Sequence, residues 1–377
     1  MLTGNNLFSR KTEVLVLADK PIQGEKKVFM TGNEVVAWAA LAAKADIMYG
    51  YPITPQNEIM HYWTRLAPKH GKEFLQTEDE ISAGFTTVGG VLAGKRAFTA
   101  TSGPGNTIMQ DSISMAEMMR IPTVMVITQR GGPSTATVIY SQQETTLTCF
   151  GGNGEGIRIV YSTSSHQELF DYTIKAFNTA WKYRFPTFVL GDGYQSKMRE
   201  SLTIYDPETR NIEFVPPEPY IGKAGVAGID RDPEHLRNTY NMEDELYEVI
   251  RELVDAFNQI APEIIEYNEV ETEDAEVLVV AHGVVSRAAE GAVKKLRKEG
   301  ARAGSFRPIT LRPFPEKQLR ACADRAQKIL VVESAEGQLK RMVTDAIYGC
   351  TTPITNLFRP GESITVEEII SAAKDLL

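Results

Sequence analysis

The chain has 377 residues, 42% of them hydrophobic and 24% charged, and it carries a formal net charge of −9 at pH 7. Its length allows two domains with separate cores, and its composition is typical of a soluble globular protein. The charges are mixed along the sequence without a basic block, which argues against nucleic acid and anionic membrane as partners, because both are bound through clustered Lys and Arg.

The sequence has no apolar run approaching the length of a membrane span and no signal-peptide core near its N-terminus, so we expect a cytoplasmic protein. Its cysteines, Cys149, Cys322 and Cys350, lie far apart in the chain. This spacing fits neither a disulfide framework nor a zinc or iron–sulfur motif, and each cysteine is interpreted as a small buried hydrophobe. Any iron–sulfur chemistry would therefore reside on another chain.

The first structural signals follow a polar, aperiodic stretch over residues 1–28, which we interpret as an N-terminal extension. A helix of small residues is predicted after Gly32, and then a strand over 45–49. In the next helix Pro55 suits the first position and Thr54 suits the N-cap. Ligands of open α/β sheets bind outside the carboxyl ends of the strands, so Thr54 is interpreted as either a plain N-cap or a ligand contact.

A strand over 73–76 precedes a capping-box pattern, in which Thr77 would be the N-cap and Glu80 the acidic residue three positions later. The capping box alone would explain Glu80, so a structural role stays open beside a functional one. The helix behind it carries small residues along one side, including Gly84 and Gly90. We expect another subunit or a flat cofactor to pack closely against that side.

A strand over 96–101 ends at a glycine turn that contains Ser102 and Gly103. The turn matches neither the dinucleotide fingerprint nor the P-loop, so it predicts exposed backbone N–H groups near which an anion could bind. The apolar strand over 121–128 is typical of one buried on both faces. Arg130 follows that strand, and its guanidinium suits a carboxylate, either of a ligand or of an acidic residue in the same chain.

Strands alternate with helices along this whole region, which predicts an α/β fold with a parallel sheet and helices on both faces. Thr54, Glu80, Ser102 and Arg130 would then lie at the same edge of one sheet. The segment over 129–156 is long for a simple connection, and we expect it to be functional or to be ordered by a partner.

The composition of the chain divides it into further segments. We assign residues 29–200 to the first α/β domain and residues 201–272, which contain several prolines and a charged helix, to a linker. A second α/β domain is predicted over 273–377, with three strands separated by helices. The last element predicted in it ends at residue 347.

Four motifs occur in order along the first domain: GYPITPQ at 50–56, QTEDEISAG at 76–84, TATSGPGN at 99–106 and QRGGPST at 129–135. Together they resemble the alpha subunit of 2-oxoacid:ferredoxin oxidoreductases, and SFRPITLRPFP at 305–315 and VVESAEGQL at 331–339 fit the second domain of that subunit. The resemblance covers nearly all of the chain from about residue 29. It implies a pyrimidine-binding thiamine diphosphate domain followed by a domain like the C-terminal one of transketolases.

The resemblance also implies partners and cofactors. In this family a beta subunit holds the diphosphate, its magnesium ion and an iron–sulfur cluster. Electrons leave through that cluster to ferredoxin, and coenzyme A takes the acyl group derived from a small 2-oxoacid. We therefore expect a heterodimer or a dimer of heterodimers. The Gly191-Asp192-Gly193 stretch looks like the metal-and-diphosphate motif of thiamine enzymes, but the downstream asparagine is missing, and we interpret it as a strand-end turn.

The family residues can be carried over by position. By this resemblance Glu80 is the catalytic glutamate that hydrogen-bonds the aminopyrimidine ring, where a shared proton would activate the cofactor. Thr54 and Arg130 match the residues that hold the carboxylate of the 2-oxoacid and so orient its keto carbon. The remaining cofactor-binding positions are Pro52, Ser102 and Gly103.

The substrate is assigned by analogy. Residues 78–81 and 129–135 are most similar to 2-oxoglutarate enzymes, whereas 54–59 and 191–193 are similar to branched-chain 2-oxoacid enzymes. The usual Gly-x-Pro-Thr is replaced by Ala-Thr-Val-Ile at 136–139. We favour 2-oxoglutarate. The alternatives are a branched-chain 2-oxoacid enzyme, the beta chain of a lipoyl-linked 2-oxoacid dehydrogenase, and a non-catalytic scaffold subunit.

Overall fold

The computed structural model describes residues 21–222 and 232–377. The first part of the chain forms β1 (Glu25–Thr31), α1 (Gly32–Ala42), β2 (Ile47–Gly50), α2 (Asn57–Leu66), β3 (Glu73–Gln76), α3 (Glu80–Leu92), β4 (Ala97–Thr101), α4 (Pro104–Ile108), α5 (Gln110–Met118) and β5 (Val124–Gln129). The middle part forms α6 (Thr145–Phe150), β6 (Ile159–Ser162), α7 (His166–Tyr183), β7 (Thr187–Asp192), α8 (Gly193–Lys197), β8 (Arg199–Tyr205) and α9 (Glu243–Ile264).

The last part forms β9 (Tyr267–Val270), β10 (Val277–Val280), α10 (Val285–Lys298), β11 (Ala303–Pro308), β12 (Thr310–Arg312), α11 (Glu316–Arg325), β13 (Lys328–Glu333), α12 (Gln338–Ala346), β14 (Ile354–Phe358) and α13 (Val366–Lys374). Most of the expected N-terminal extension, residues 1–20, lies outside the described residues. Its last part is not an extension, because β1 begins at Glu25 and pairs antiparallel with β8 along seven residues.

The first sheet has seven strands in the order β12-β6-β7-β5-β4-β2-β3. All neighbours in it are parallel except β12, which runs antiparallel to β6. β5 and β7 are buried along their whole length, as the apolar sequence predicts for central parallel strands. The carboxyl ends of β2, β4, β5 and β7 meet at one edge, which positions the site described below.

The second sheet has five strands in the order β14-β13-β10-β11-β9, and only β9 is antiparallel to its neighbour. The predicted α/β class with parallel, helix-covered sheets is therefore confirmed. β9, β12 and β14 were not predicted, because they are short and two of them are half exposed. In the described part of the chain, none of the helices is both long and apolar enough to cross a membrane.

The core of the first unit lies between the sheet and small-residue helices. Ala37, Ala39 and Ala40 of α1 are fully buried, and their small side chains allow α1 to lie close to α2 and α7. Trp63 of α2 meets Phe98 of β4 edge to face at 5.0 Å between ring centroids. This packing stabilises the position of β4 inside the sheet, between β5 and β2.

The predicted start of α2 is wrong. The helix begins at Asn57, and Gln56 occupies the N-cap without a side-chain hydrogen bond. The Asn57 N–H donates to the Ile53 carbonyl at 3.0 Å, which closes a separate turn over 54–56 before the helix. The Thr54–Pro55 peptide is cis, and Thr54 is exposed. Thr54 is therefore not the N-cap of this helix.

The predicted capping box at the start of α3 is also wrong. The helix begins at Glu80, and the Asp79 carboxylate accepts the Ser82 N–H at 2.7 Å. The Thr77 hydroxyl donates to the Asp79 carbonyl at 2.8 Å. Because Asp79 lies two positions closer to the helix than Thr77 and its short carboxylate reaches the free Ser82 N–H, it takes the N-cap role. The Glu80 carboxylate is thereby left available for another role.

The small-residue side of α3 packs within the chain, contrary to our expectation of a subunit or a cofactor there. A Cβ at Gly84 would lie 2.0 Å from the Ser112 hydroxyl of α5, and one at Gly90 would lie 2.7 Å from the Tyr49 ring of β2. The close partners are therefore α5 and β2. The glycines allow α3 to approach them.

Candidate active site

Arg130 is the first residue after β5 and is buried, with 5% of its surface exposed. Its Nη1 donates to the Thr54 carbonyl at 2.7 Å, which ties the end of β5 to the loop after β2. Its Nε is buried and has no hydrogen-bond partner among the described residues. None of their carboxylates forms an ion pair with it. Because an unpaired buried guanidinium is costly, an added carboxylate would stabilise this arrangement.

Glu80 lies at the same edge and is also buried. Within residues 21–222 and 232–377, no other residue donates a hydrogen bond to its carboxylate. Burial raises the pKa of Glu80, the neighbouring Asp79 charge raises it further, and the Arg130 guanidinium lowers it. Gly105 leaves room beside the carboxylate, because a Cβ there would lie 2.6 Å from Glu80 Oε1. The nearby Thr101 hydroxyl is buried and has no hydrogen-bond partner within residues 21–222 and 232–377.

Ser102 and Gly103 form the turn between β4 and α4. The buried Ser102 hydroxyl donates to the Thr128 carbonyl at 2.6 Å, and the Gly103 N–H donates to Glu144 Oε1 at 2.8 Å. The N–H group that we expected to be open to an anion is thus used within the chain. Gly103 has φ +52°, and a Cβ there would lie 2.5 Å from Arg130 Nε, so the turn requires glycine.

Glu144 was missed by sequence reasoning. It is buried just before α6 and accepts hydrogen bonds from the Gly103 and Arg130 N–H groups at 2.8 and 2.9 Å. The Asn106 amide donates to its other oxygen at 3.0 Å. Burial raises the pKa of Glu144, whereas these donors and the Arg130 charge lower it. The sequence offered one signal for Glu144: it is the one charged residue over 131–154, and it lies three positions before the apolar Leu147.

The long segment over 129–156 is ordered by the second half of this chain. The Gln142 amide donates to the His282 carbonyl at 2.8 Å, and its Oε1 accepts the Ser334 N–H at 2.9 Å. His282 follows β10 and Ser334 follows β13, so residues at the carboxyl ends of two strands of the second sheet contact this segment. His282 is fully buried, which lowers its pKa to about 3, and it is therefore neutral.

A cleft of about 410 Å³ opens beside Arg130. Among the described residues that line it, Arg130 is the one cationic residue. Pro104, Ile108 and Leu147 make much of the wall apolar. The full lining consists of Gly103, Pro104, Thr107, Ile108, residues 130–134, Gln143, Glu144 and Leu147.

The other predicted site residues lie at the same edge outside this cleft. Pro52 and Thr54 are exposed after β2, and Thr54 reaches the site through its carbonyl. Asp192 ends β7, accepts the Gln195 N–H at 2.8 Å and caps α8. The predicted strand-end turn is therefore confirmed. Full burial raises the pKa of Asp192 to about 7.

Comparison with known proteins places these residues in a family. The model described as "Pyruvate flavodoxin/ferredoxin oxidoreductase, thiamine diP-bdg" matches residues 38–269, and "Pyruvate:ferredoxin oxidoreductase core domain II" matches residues 275–369. The 2-oxoglutarate synthase subunit KorA of Methanothermobacter thermautotrophicus is 38% identical over 336 residues, which cover 83% of this chain and 89% of that subunit. The ketoisovalerate oxidoreductase subunit VorB of Methanothermobacter marburgensis is 35% identical over 321 residues, covering 85% and 89%.

Two solved structures are also similar. The 2-oxoglutarate:ferredoxin oxidoreductase from Magnetococcus marinus, solved with 2-oxoglutarate, coenzyme A and succinyl-CoA bound, matches with a TM-score of 0.82 and 26% identity over 93% of this chain and 65% of that chain. A split-gene transketolase, described as an inactive beta4 tetramer, shares the fold, with a TM-score of 0.58 and 15% identity over 91% of this chain and 96% of that one. The chain therefore belongs to the pyruvate flavodoxin/ferredoxin oxidoreductase family of thiamine-diphosphate-binding proteins, and its predicted resemblance to the alpha subunit of 2-oxoacid:ferredoxin oxidoreductases is confirmed.

Proposed function

We propose that this chain is the subunit of a 2-oxoacid:ferredoxin oxidoreductase that orients the 2-oxoacid and the pyrimidine end of thiamine diphosphate, with 2-oxoglutarate as the substrate. One observation carries the proposal. Two buried groups of opposite charge, Glu80 and Arg130, flank the turn after β4 at the carboxyl edge of one sheet, and neither forms an ion pair with a described residue. Ligands bind at this edge in open α/β sheets.

The residues around Glu80 fit the pyrimidine end of the cofactor. Its carboxylate is a buried acceptor that lacks a donor from any other described residue, and Gly105 keeps the space beside it free of a side chain. Glu80 would accept a hydrogen bond from a ring nitrogen, and its raised pKa favours a proton shared at that bond. Thiamine diphosphate, when bound, supplies the carbanion that adds to the keto carbon of the substrate.

Arg130 fits the carboxylate next to that keto carbon. Its Nη1 bond to the Thr54 carbonyl fixes the guanidinium, and its Nε retains an unused donor. A carboxylate bound here would be held by a charge-assisted hydrogen bond, and the keto carbon would be oriented in advance of the reaction. We propose that the exposed Thr54 completes this contact. Pro52, Ser102 and Gly103 would shape the surface that the cofactor meets.

Membership of the family supports the partner and acceptors that we propose. We propose that a beta subunit holds the diphosphate, its magnesium ion and an iron–sulfur cluster, and that electrons leave through it to ferredoxin. Coenzyme A would take the acyl group. The relatives named above are subunits of their enzymes, which supports a heterodimer or a dimer of heterodimers.

The substrate preference rests on the relatives and on the cleft. KorA subunits reach 36–38% identity, and the solved relative binds 2-oxoglutarate. Because this substrate has two carboxylates and the cleft has one cation, we propose that its second carboxylate is bound by the polar groups of Thr107 and Ser134 or by the beta subunit. The apolar wall formed by Ile108 and Leu147 favours a branched-chain 2-oxoacid as the second candidate.

The test is turnover by the purified complex. The chain is co-expressed with its beta subunit, and reduction of a viologen is followed with coenzyme A and, in parallel, 2-oxoglutarate, pyruvate and 3-methyl-2-oxobutanoate. We expect the highest kcat/KM with 2-oxoglutarate and a brown, reducible chromophore. A preference for 3-methyl-2-oxobutanoate selects the second candidate. A colourless complex that transfers the acyl group to a lipoyl domain overturns the proposal, and the beta subunit alone is the control.

A further inference from the structure

We propose that Glu144 is the positioning residue of the substrate site, holding the Arg130 backbone and the Gly103 turn at a fixed separation. This inference rests on the proposed role of Arg130 as the carboxylate-binding group. Glu144 forms part of the cleft wall, but its carboxylate is hydrogen-bonded within the chain and is not assigned a bond to the substrate or the cofactor. It acts through the two segments to which it is hydrogen-bonded.

The geometry supports this role. One carboxylate oxygen of Glu144 accepts both the Gly103 and the Arg130 N–H, at 2.8 and 2.9 Å. These two N–H groups belong to the turns after β4 and β5, the neighbouring strands that deliver the site. Gly103 in turn packs against Arg130, since a Cβ there would lie 2.5 Å from Nε. A single carboxylate thus holds the backbone of Arg130 at a fixed distance from the Gly103 turn, against which the guanidinium packs.

The other oxygen of Glu144 is held by a buried amide network. Asn106 donates to it at 3.0 Å, and Gln110 donates at 2.9 Å to the Asn106 side-chain oxygen. Arg158 donates to the Gln110 oxygen at 3.0 Å and also pairs with Glu117. This chain of donors orients the Asn106 amide with its N–H₂ toward Glu144. Every polar contact of the carboxylate is then a donor, and the contacts suit its ionised form.

The network predicts what happens when the Glu144 carboxylate is replaced by an amide and when the Asn106 amide is replaced by a carboxylate. In Glu144→Gln the new amide would face the Asn106 N–H₂, so two donors would meet and the carboxamide would turn or shift. The backbone bonds to Gly103 and Arg130 would weaken, and the guanidinium would move. In the double variant E144Q/N106D the amide introduced at position 144 can donate to the carboxylate introduced at position 106, which can still accept from Gln110. The original geometry would be restored with the charge moved to the neighbouring side chain of the network.

The experiment measures steady-state kinetics of the assembled complex with 2-oxoglutarate and a viologen, together with the Tm of each variant. We expect E144Q to raise KM by about tenfold, as expected for weakening one charge-assisted bond to substrate, with a smaller fall in kcat. We expect E144Q/N106D to recover most of that loss. The matched control is Asp46→Asn. Asp46 accepts the Arg96 N–H at 2.9 Å at the opposite edge of the same sheet, and this variant should leave KM unchanged.

The outcomes separate the inference from the function on which it rests. A normal KM in E144Q, or a double variant no better than E144Q at equal Tm, overturns the positioning role. A normal KM in Arg130→Lys, by contrast, overturns the assignment of Arg130 itself. If E144Q does not assemble, Glu144→Asp provides the measurement. This shorter carboxylate keeps its charge but cannot reach both sides, so we expect a raised KM, and an unchanged KM would contradict the proposal.

Discussion

Replacing Glu80 by Gln tests the central residue of the site, because it removes the charge and keeps the shape. We expect turnover to fall by at least about a hundredfold, the lower end of what a positioned acid or base contributes. That factor corresponds to a barrier higher by about 2.7 kcal/mol. The stability of the chain should stay the same or increase, since the substitution removes a buried charge to which no other described residue donates a hydrogen bond.

The pH dependence of stability separates a desolvated carboxylate from an ordinary one. Burial raises the pKa of Glu80 above its usual 4.5, so the folded chain holds this proton more tightly than the unfolded chain does. The resulting stabilisation is fully present below pH 4.5 and is lost as the pH rises through the raised pKa. The E80Q variant has no such proton to lose. Its Tm advantage over the unmodified chain should therefore grow as the pH rises from 4.5 toward neutrality.

Two measurements check this prediction: viologen reduction by the assembled complex, and thermal unfolding of the chain without cofactor across that pH range. The control is Glu78→Gln, which neutralises an exposed carboxylate two positions away, and it should change neither quantity appreciably. Wild-type turnover in E80Q would refute a chemical role for Glu80. A Tm difference that stays constant with pH would refute the argument from burial.

Further substitutions test the groups around Glu80. Arg130→Lys should raise the KM for the 2-oxoacid by at least about tenfold, because an ammonium cannot replace the guanidinium fork; an unchanged KM with a lower Tm would make Arg130 structural. Gly103→Ala should lower stability by about 1–3 kcal/mol and raise KM, since its φ is +52° and its Cβ would displace Arg130; Gly89→Ala, where the space is open, is the control. Burial raises the pKa of Asp192 to about 7, so the unmodified chain loses stability as the pH rises from 3.8 to about 7. Asp192→Asn should remove this loss, and Tm curves of the two proteins that run parallel over this pH range would contradict the prediction.

The sequence predicted the strands that deliver the site because most of them are apolar runs followed by a turn signal. Thr54, Glu80, Ser102 and Arg130 do follow β2, β3, β4 and β5. The local roles were harder to assign, since adjacent residues compete for the same N–H. Thr77 and Asp79 are both suitable N-cap residues for α3, and in the structure Asp79 occupies that position. The hydrophobic periodicity of the sequence does not show which of these two side chains accepts the free N–H of the helix.

The role of Glu144 was not predicted because its hydrogen-bond partners are remote in sequence. Its hydrogen bonds reach residues 14, 38 and 41 positions away, and a carboxylate that organises two distant turns leaves no local pattern. We expected the segment that carries it to be functional or to be ordered by a partner, and Gln142 anchors it to the second half of the same chain. Such contacts depend on how the two sheets are arranged.

β12 makes the two sheets depend on each other. This short strand lies between elements of the second sheet in sequence, yet it forms the margin of the first sheet, antiparallel to β6. A fragment ending before Thr310 would leave β6 with unpaired N–H and C=O groups, a surface on which other chains can add strands. The halves should therefore unfold together, and the first half expressed by itself should aggregate.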